Sequence, residues 1–394
     1  MSTTADHFDA SADPRSATNA LFNDNRLKLG TFCTNISGGG AISTIDGTYQ
    51  ATWPETVRIS QIADDAGFEA LVPVARWRGF GGKTNFNGRN FETYTWAAGL
   101  GALTHTTTVF STSHVPTIHP IVAAKQATTI DHISGGRFAL NVVCGWFEPE
   151  LRMFGSPMME HDTAYEYAAE WLEVVKLLWT REDEFDFEGK WFKIDKGFHQ
   201  PKPIQKPFPC VMNAGFSPVG REFALKHSDV TFTNFRGAGY DLIKTQIAEF
   251  RARARKEYGR EIGIWINTTM IMGDTLKDAQ ALYHETVEEK GDWEAIENMF
   301  NINGMYTRVD RRQTDDIMAL KRRYMAGWGG ELCIGTPEML ADELEKISDL
   351  GVDGAVMTFP RFEDGIRRFV AEVVPLLIQK GLRKPARRAA RAAE

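Results

Sequence analysis

Short apolar segments alternate with amphipathic helical segments eight times along this chain of 394 residues. The apolar segments are too short for helices, as is typical of strands buried on both faces of a parallel sheet. Eight strand–helix repeats in one chain favour a closed α/β barrel, the (β/α)8 TIM barrel, over an open doubly wound sheet. The predicted strands cover residues 27–33, 68–74, 107–112, 138–144, 208–213, 230–234, 264–272 and 354–359.

The segments outside this alternation determine the predicted domain organisation. Residues 1–25 are rich in Ser, Thr, Ala and Asp and are predicted to be a disordered N-terminal arm. Residues 26–380 are predicted to form a single barrel, followed by a basic flexible tail over 381–394. An insert after strand four, 180–205, alternates like a hairpin, whereas the insert after strand seven, 275–330, is long and charged. Because long loops in compact domains usually serve function, we expect the second insert to be a lid over the barrel mouth.

Composition and cysteine spacing narrow the class of protein. The 45 basic and 52 acidic residues give a net charge of −7 without a basic stripe, which argues against a nucleic-acid partner. The cysteines Cys33, Cys144, Cys210 and Cys333 are far apart, so we expect buried free thiols in a reducing compartment. The N-terminus lacks the pattern of a signal peptide, and no apolar run is long enough to span a membrane. We therefore expect a cytoplasmic protein.

The familiar motifs of protein-borne catalysis are missing from the sequence. It contains no HExxH, no HxH on the first strand and no GxSxG, and it lacks a Walker-type glycine loop. We therefore predict no metal site and no activated nucleophile, and we expect a cofactor to carry the chemistry while the protein orients it.

Asn141 interrupts the apolar run of the fourth predicted strand. A carboxamide in a buried strand costs roughly 1–3 kcal/mol unless it is hydrogen-bonded. Two interpretations remain open. Asn141 is either a core residue bonded to a neighbouring strand or water, or a side chain that faces a ligand at the carboxyl end of the barrel.

Two segments resemble a known family. The run GGRFALNVVCGWFEPE, residues 135–150, resembles the fourth-strand segment of the bacterial-luciferase-like flavin monooxygenases. The run RWRGFGG at 76–82, with FET at 91–93, is similar to the branch that holds the pyrimidine ring-opening and dimethylsulfone monooxygenases. The resemblance extends over about residues 27–377.

This resemblance implies a two-component monooxygenase. A flavin reductase would supply reduced FMN, which reacts with O2 through a flavin peroxide to oxygenate a small organic substrate. The substrate class would be an N-heterocycle, a sulfone or a sulfonate, and a C–N or C–S bond can break. A homo-oligomer is expected. Two alternatives remain open: a deazaflavin-dependent oxidoreductase that transfers hydride, and a non-catalytic flavin-binding barrel.

The resemblance also assigns candidate site residues. Asn141 and Thr112 are the candidate catalytic residues, because both side chains could donate a hydrogen bond to a developing peroxide anion. For each residue a plainer role, in strand packing or loop structure, stays open. The expected FMN contacts are Ala75, Arg76, Asn141, Glu150, Tyr165 and Ser217.

Tyr165 and Ser217 are expected to hold the FMN phosphate. Residues 163–165 are predicted to open a long helix, whose free N–H groups and positive dipole end attract an anion. There is one departure from the family pattern, because Ala164 occupies a position where related members carry Arg. A lost guanidinium removes a bidentate phosphate contact, so phosphate binding would be weaker or would use another basic residue.

Overall fold

Eight parallel strands close into a barrel in the computed structural model, which describes residues 6–10, 12–233, 239–302 and 314–386, with side chains of 314–316 excepted. Each strand pairs with the next one along the chain, and the eighth pairs with the first. The predicted (β/α)8 barrel is confirmed. Its strands are β1 Lys28–Phe32, β2 Ala70–Val72, β3 Thr108–His114, β4 Phe138–Val143, β5 Cys210–Asn213, β6 Val230–Thr233, β7 Gly263–Met272 and β8 Gly354–Thr358.

Helices surround the barrel and bury their apolar faces against the outer side of the sheet, while a second apolar cluster fills its inside. Over the described ranges, every helix is too short or too polar to cross a lipid bilayer. The α-helices are α1 Trp53–Asp65, α2 Thr93–Leu103, α3 Pro120–Ile133, α4 Glu148–Met153, α5 His161–Thr180, α6 Pro218–His227, α7 Tyr240–Tyr258, α8 Leu276–His284, α9 Trp293–Ile302, α10 Thr314–Gly327, α11 Pro337–Asp349, α12 Phe362–Arg368 and α13 Val374–Gln379.

The N-terminal segment closes the amino-terminal end of the barrel. It forms two short 3-10 helices, Pro14–Ala17 and Ala20–Phe22, and the last two side chains of the second helix join the inner core of the barrel. Arg15 is buried and its Nη1 lies 2.9 Å from an oxygen of Asp229. The prediction of a disordered arm over 1–25 is therefore wrong for the described residues. The polar composition of this segment predicted disorder, because it did not indicate that a few apolar side chains and one ion-paired arginine are buried against the end of the barrel.

The predicted flexible tail over 381–394 is also partly packed. Arg383 is buried, and its Nη1 lies 3.0 Å from Glu69 Oε2. Its Nη2 donates to the carbonyl of Gly67 at 2.6 Å. The prediction is wrong for this part of the tail, because a buried carboxylate provides the counter-charge that the sequence did not reveal. Residues 387–394 lie outside the described residues.

The two inserts differ in structure. The strands Phe185–Glu188 and Lys193–Gly197 pair antiparallel, which confirms the hairpin predicted in 180–205. The insert 275–330 contains α8, a π-helical turn, α9 and α10. It leads into a strand that the sequence analysis missed, Glu331–Gly335, which pairs in parallel with β7. Strand β7 pairs with β6 up to Ile266, and the new strand pairs with its later residues, from Thr268 to Met272.

Candidate active site

Thr112 and Asn141 are neighbours at the carboxyl end of the barrel. They are paired positions of β3 and β4, and the Asn141 Nδ2 donates to Thr112 Oγ1 at 3.2 Å. Thr112 Oγ1 in turn donates to the carbonyl of Pro73 at 2.5 Å. The threonine proton is therefore already used, which leaves Thr112 as the group that orients the amide. The expectation that both side chains donate to a ligand is not met in this arrangement.

The Asn141 amide oxygen is buried and has no hydrogen-bond partner among the described residues. A buried acceptor without a partner costs about 1–3 kcal/mol, so its retention is typical of a site that a ligand completes. Asn141 is thus neither fully satisfied as a core residue nor exposed to solvent. This geometry favours the interpretation that the amide faces a ligand.

Arg76 follows β2 after the buried Ala75 and is itself 2% exposed. Its Nη1 lies 3.3 Å from Glu150 Oε1, whereas its Nε is buried without a partner among the described residues. Burial lowers the pKa of the guanidinium, and the charge of Glu150 offsets part of that effect. Four rings surround the guanidinium carbon within 5.8 Å, namely Trp146, Phe147, Phe80 and Trp328.

Glu150 lies in α4 and is 0% exposed. Its Oε1 accepts from the backbone N–H of Trp77 at 2.7 Å and of Arg78 at 3.3 Å. Burial opposes the charged form, but the adjacent His114 imidazole and the charge of Arg76 outweigh it and hold the pKa of Glu150 below its usual range. Glu150 is therefore buried and bonded, and it is not a solvated loop carboxylate. Oε1 alone makes these bonds and holds the loop that carries Arg76, whereas Oε2 is buried without a hydrogen-bond partner among the described residues.

His114 is a site residue that the sequence analysis did not identify. Its Nδ1 lies 3.3 Å from Glu150 Oε2, and the imidazole is buried. The third strand was predicted to end at Thr112, whereas β3 runs two residues further. Because side chains two apart in a strand share a face, His114 could have been assigned to the side of Thr112 had the strand end been known.

Tyr165 and Ser217 meet at the N-terminus of α6. Ser217 caps this helix, and its Oγ accepts from the Gly220 N–H at 3.1 Å. A Cβ added to Gly215 or Gly220 would lie 2.4 or 2.6 Å from the Tyr165 hydroxyl, so the hydroxyl sits between two glycines. Burial raises the pKa of Tyr165 to about 12, so the hydroxyl stays protonated and can donate. Hydroxyl donors at a helix N-terminus form a cradle suited to an anion.

The N-terminus of α5 does not provide this cradle. The helix begins at His161 and not at the predicted 163, and the carboxylate of Glu160 accepts from the N–H of Asp162 at 3.1 Å and of Thr163 at 3.3 Å. The prediction of free N–H groups at 163–165 is therefore wrong, because the Glu160 carboxylate binds the Thr163 N–H and the Glu160 carbonyl accepts from the Ala164 N–H at 2.9 Å. Ala164 is buried in the main core.

A groove of about 1000 Å³ opens beside the loop after β2. Phe80 and Phe147 line this groove, and their ring centres lie 5.2 and 5.1 Å from the Arg76 guanidinium carbon, so the groove lies next to the Arg76 side chain. Helix α9 of the insert 275–330 lines another side through Asn298. The other lining residues are Trp77, Arg78, Gly79, Gly81, Asn85, Gly88, Glu148, Pro149, Arg152, Met153, Asn301 and Ile302.

The fold and the site define a (β/α)8-barrel enzyme with buried polar side chains at the carboxyl ends of its strands and two hydroxyl groups beside the N-terminus of α6. Within the described ranges, no three His, Cys, Asp or Glu side chains are arranged to hold a metal ion. The sequence model of the luciferase-like monooxygenases matches residues 27–354, and the chain belongs to this family.

Individual relatives agree with this assignment. The chain is 31% identical over 355 residues to an FMNH2-dependent dimethylsulfone monooxygenase of Pseudomonas putida, covering 89% of this chain and 95% of the relative. It is 30% identical over 357 residues to a pyrimidine monooxygenase of Acinetobacter baylyi, and the match covers 90% of this chain and 95% of the relative. A riboflavin lyase structure has the same fold, with a TM-score of 0.81 and 22% identity, and the match covers 92% of this chain and 94% of that one. The predicted enzyme class, an FMN-dependent monooxygenase that uses reduced FMN, is confirmed.

Proposed function

We propose that this chain is the oxygenase component of a two-component system and oxygenates a small organic molecule. The observation that carries the proposal is Asn141 at the carboxyl end of the barrel, whose buried amide oxygen has no partner in the part of the chain that the structure describes. Reduced FMN, when bound, supplies two electrons to O2, so that one oxygen atom enters the substrate and the other leaves as water. A separate flavin reductase is proposed because the sequence has no dinucleotide fingerprint.

The phosphate of FMN would bind at the α6 N-terminus. Tyr165 would donate a hydrogen bond from its hydroxyl there, beside Gly215 and the helix cap Ser217. Arg221 lies in the first part of α6 and lines a small cavity of about 60 Å³ together with Gly215. We propose that Arg221 supplies the positive charge that Ala164 cannot, because a phosphate at this helix end lies within the field of both the dipole and the guanidinium.

The ring system of FMN would contact the loop after β2. Ala75 provides backbone and a small buried side chain, and Arg76 has a buried Nε available to donate to a carbonyl of the ring. Glu150 would act through this loop, because its carboxylate holds the N–H groups of Trp77 and Arg78.

Asn141 and Thr112 would form the oxygen pocket. Thr112 fixes the orientation of the amide through the 3.2 Å hydrogen bond from Asn141 Nδ2. The second N–H of the same amide would donate to negative charge that develops on oxygen during its activation. A preorganised donor in a buried site stabilises such charge without reorganising at the moment of reaction.

The proposed substrate is an N-heterocycle, a sulfone or a sulfonate, with cleavage of a C–N or C–S bond. The relatives named for dimethylsulfone and pyrimidine oxygenation support this class. The groove beside Arg76 also supports it, because aromatic rings and the amides of Asn85, Asn298 and Asn301 suit a small planar polar molecule. The insert 275–330 would act as a lid, since α9 lines this groove.

We further propose a cytoplasmic homo-oligomer. The four cysteines are free and buried, as predicted, which supports a reducing compartment. Ile121 and Val122 on α3 and Leu103 on α2 are exposed apolar side chains, which supports a contact between copies of the chain.

The experiment supplies chemically reduced FMN and 18O2 to the purified protein with N-heterocycles, sulfones and sulfonates. We expect one 18O atom in a product detected by mass spectrometry, and loss of that product in Asn141→Leu. Full O2 consumption that yields only hydrogen peroxide with every substrate class would contradict the substrate proposal. Hydride transfer from a reduced deazaflavin without O2 consumption would contradict the oxygenase proposal.

A further inference from the structure

We propose that Trp328, a residue of the insert 275–330, is a positioning residue that holds Arg76 in place for the flavin. The inference rests on the proposed function, in which Arg76 contacts the cofactor. It assigns to the insert a direct contribution to the cofactor site, in addition to any role as a lid.

The aromatic cage is the set of four rings, Phe80, Trp146, Phe147 and Trp328, around the Arg76 guanidinium. The guanidinium carbon lies 4.9 Å from the centre of Trp146 and 5.1 Å from that of Phe147. The ring centres of Phe80 and Trp328 lie 5.2 Å and 5.8 Å from the same carbon atom. Three of these rings follow β2 or β4, whereas Trp328 comes from the far end of the insert and completes the cage.

The cage has an electrostatic effect as well as a packing effect. The Arg76 side chain is 1% exposed, so the negative faces of the rings attract its charge in a water-poor environment. Glu150 neutralises one end of the guanidinium at 3.3 Å. The rings limit its rotation on the remaining sides and leave Nε without a partner among the described residues. A cation fixed in this way is preorganised to donate to a ligand.

Trp328 is held in position by β7. The carbonyl of Gly327 accepts from Thr269 Oγ1 at 3.2 Å and from Asn267 Nδ2 at 3.3 Å. A Cβ on Gly327 would lie 1.8 Å from Thr269 Oγ1, so this close contact requires glycine. Trp328 itself has a φ of 55°, a left-handed conformation that bulky residues rarely adopt.

These contacts distinguish Trp328 from an ordinary core tryptophan. An aliphatic side chain on an unstrained backbone could fill the same space. Here, by contrast, a residue with a strained backbone is hydrogen-bonded to the barrel through its neighbour Gly327, and its ring faces a buried cation. The ring centre of Trp328 also lies 5.4 Å from that of Phe86 and 6.1 Å from that of Phe80, so Trp328 packs against the loop that follows Arg76. The end of α10 therefore helps determine the position of the Arg76 guanidinium.

The test measures dissociation constants of FMN and riboflavin for Trp328→Leu and Trp328→Phe by flavin fluorescence. The matched control is Trp293→Leu, because Trp293 belongs to the same insert and packs on the same apolar cluster. We expect Trp328→Leu to raise the dissociation constants of both FMN and riboflavin about tenfold, the scale of one desolvated cation–π contact. Trp328→Phe should keep most of the parent affinity, because it keeps an aromatic ring. In an Arg76→Met background, Trp328→Leu should cause no further loss.

The inference would be overturned if Trp328→Leu and the Trp293 control weakened the flavins equally. It would also be overturned if Trp328→Phe gave no recovery, or if the loss persisted without Arg76. Failure of the proposed function has a different signature, because the parent protein would then bind neither FMN nor riboflavin, or would bind them without oxygenating any substrate.

Discussion

Replacing Glu150 by Gln should destabilise the protein by about 2–4 kcal/mol. The change removes the counter-charge 3.3 Å from the buried Arg76 guanidinium. Breaking one side of a buried ion pair costs about 3–5 kcal/mol, because the other charge stays buried. In the parent protein the Trp77 N–H donates to Glu150 Oε1 at 2.7 Å. The amide oxygen of the new Gln can still accept this hydrogen bond, which keeps about 1 kcal/mol of the stabilisation.

Urea unfolding of the flavin-free protein at pH 7, followed by tryptophan fluorescence, measures this loss. The double variant Arg76→Met/Glu150→Gln removes the unpaired charge and should recover about 1.5 kcal/mol or more relative to the sum of the single changes. A Glu150→Gln variant within about 0.5 kcal/mol of the parent would refute the reasoning, as would strict additivity in the double variant.

The same pair predicts a pH dependence. The fold holds the pKa of Glu150 below its usual range, so its unfolded pKa is the higher of the two. The stabilisation is therefore complete above the unfolded value of about 4.3 and is lost as the pH falls through the lower folded value. The stability gap between the parent and Glu150→Gln should stay constant from about pH 7 to 5 and shrink only in more acidic solution.

Further predictions concern the oxygen pocket, the cradle and the insert. Asn141→Leu should fold but slow the oxygenation step by about 10²-fold in stopped-flow measurements. Gly220→Ala places a Cβ 2.6 Å from the Tyr165 hydroxyl, so it should weaken FMN more than riboflavin in fluorescence titrations. Arg221→Gln should lower only FMN affinity, by about three- to tenfold. Limited proteolysis should cut first in 275–330, and FMN with substrate should slow that cutting.

Each of these predictions has a contradicting outcome. A folded Asn141→Leu variant with full activity would make the amide structural. Equal effects on FMN and riboflavin in Gly220→Ala or Arg221→Gln would mean that the phosphate binds elsewhere. Equal cutting of the insert with and without ligands would count against a lid.

The barrel could be predicted from the sequence because its signals are local. A strand buried on both faces needs a short continuous apolar run, and a helix on its outer side needs an apolar stripe, so the eight repeats follow from periodicity alone. The strand Glu331–Gly335 was missed because its pairing depends on the length of β7 and β6. The packing of Arg15 and Arg383 was missed because their carboxylate partners are distant in sequence.

Asn141 could be singled out from the sequence alone, because an amide within an apolar run is unusual whatever the tertiary structure. Its link to Thr112 depends on the register between β3 and β4. His114 meets Glu150, and Trp328 meets Arg76, only after the barrel has closed. Periodicity determines which backbone segments form, but the charge state and orientation of a side chain depend on its burial and its neighbours, and these are set by tertiary contacts between distant residues.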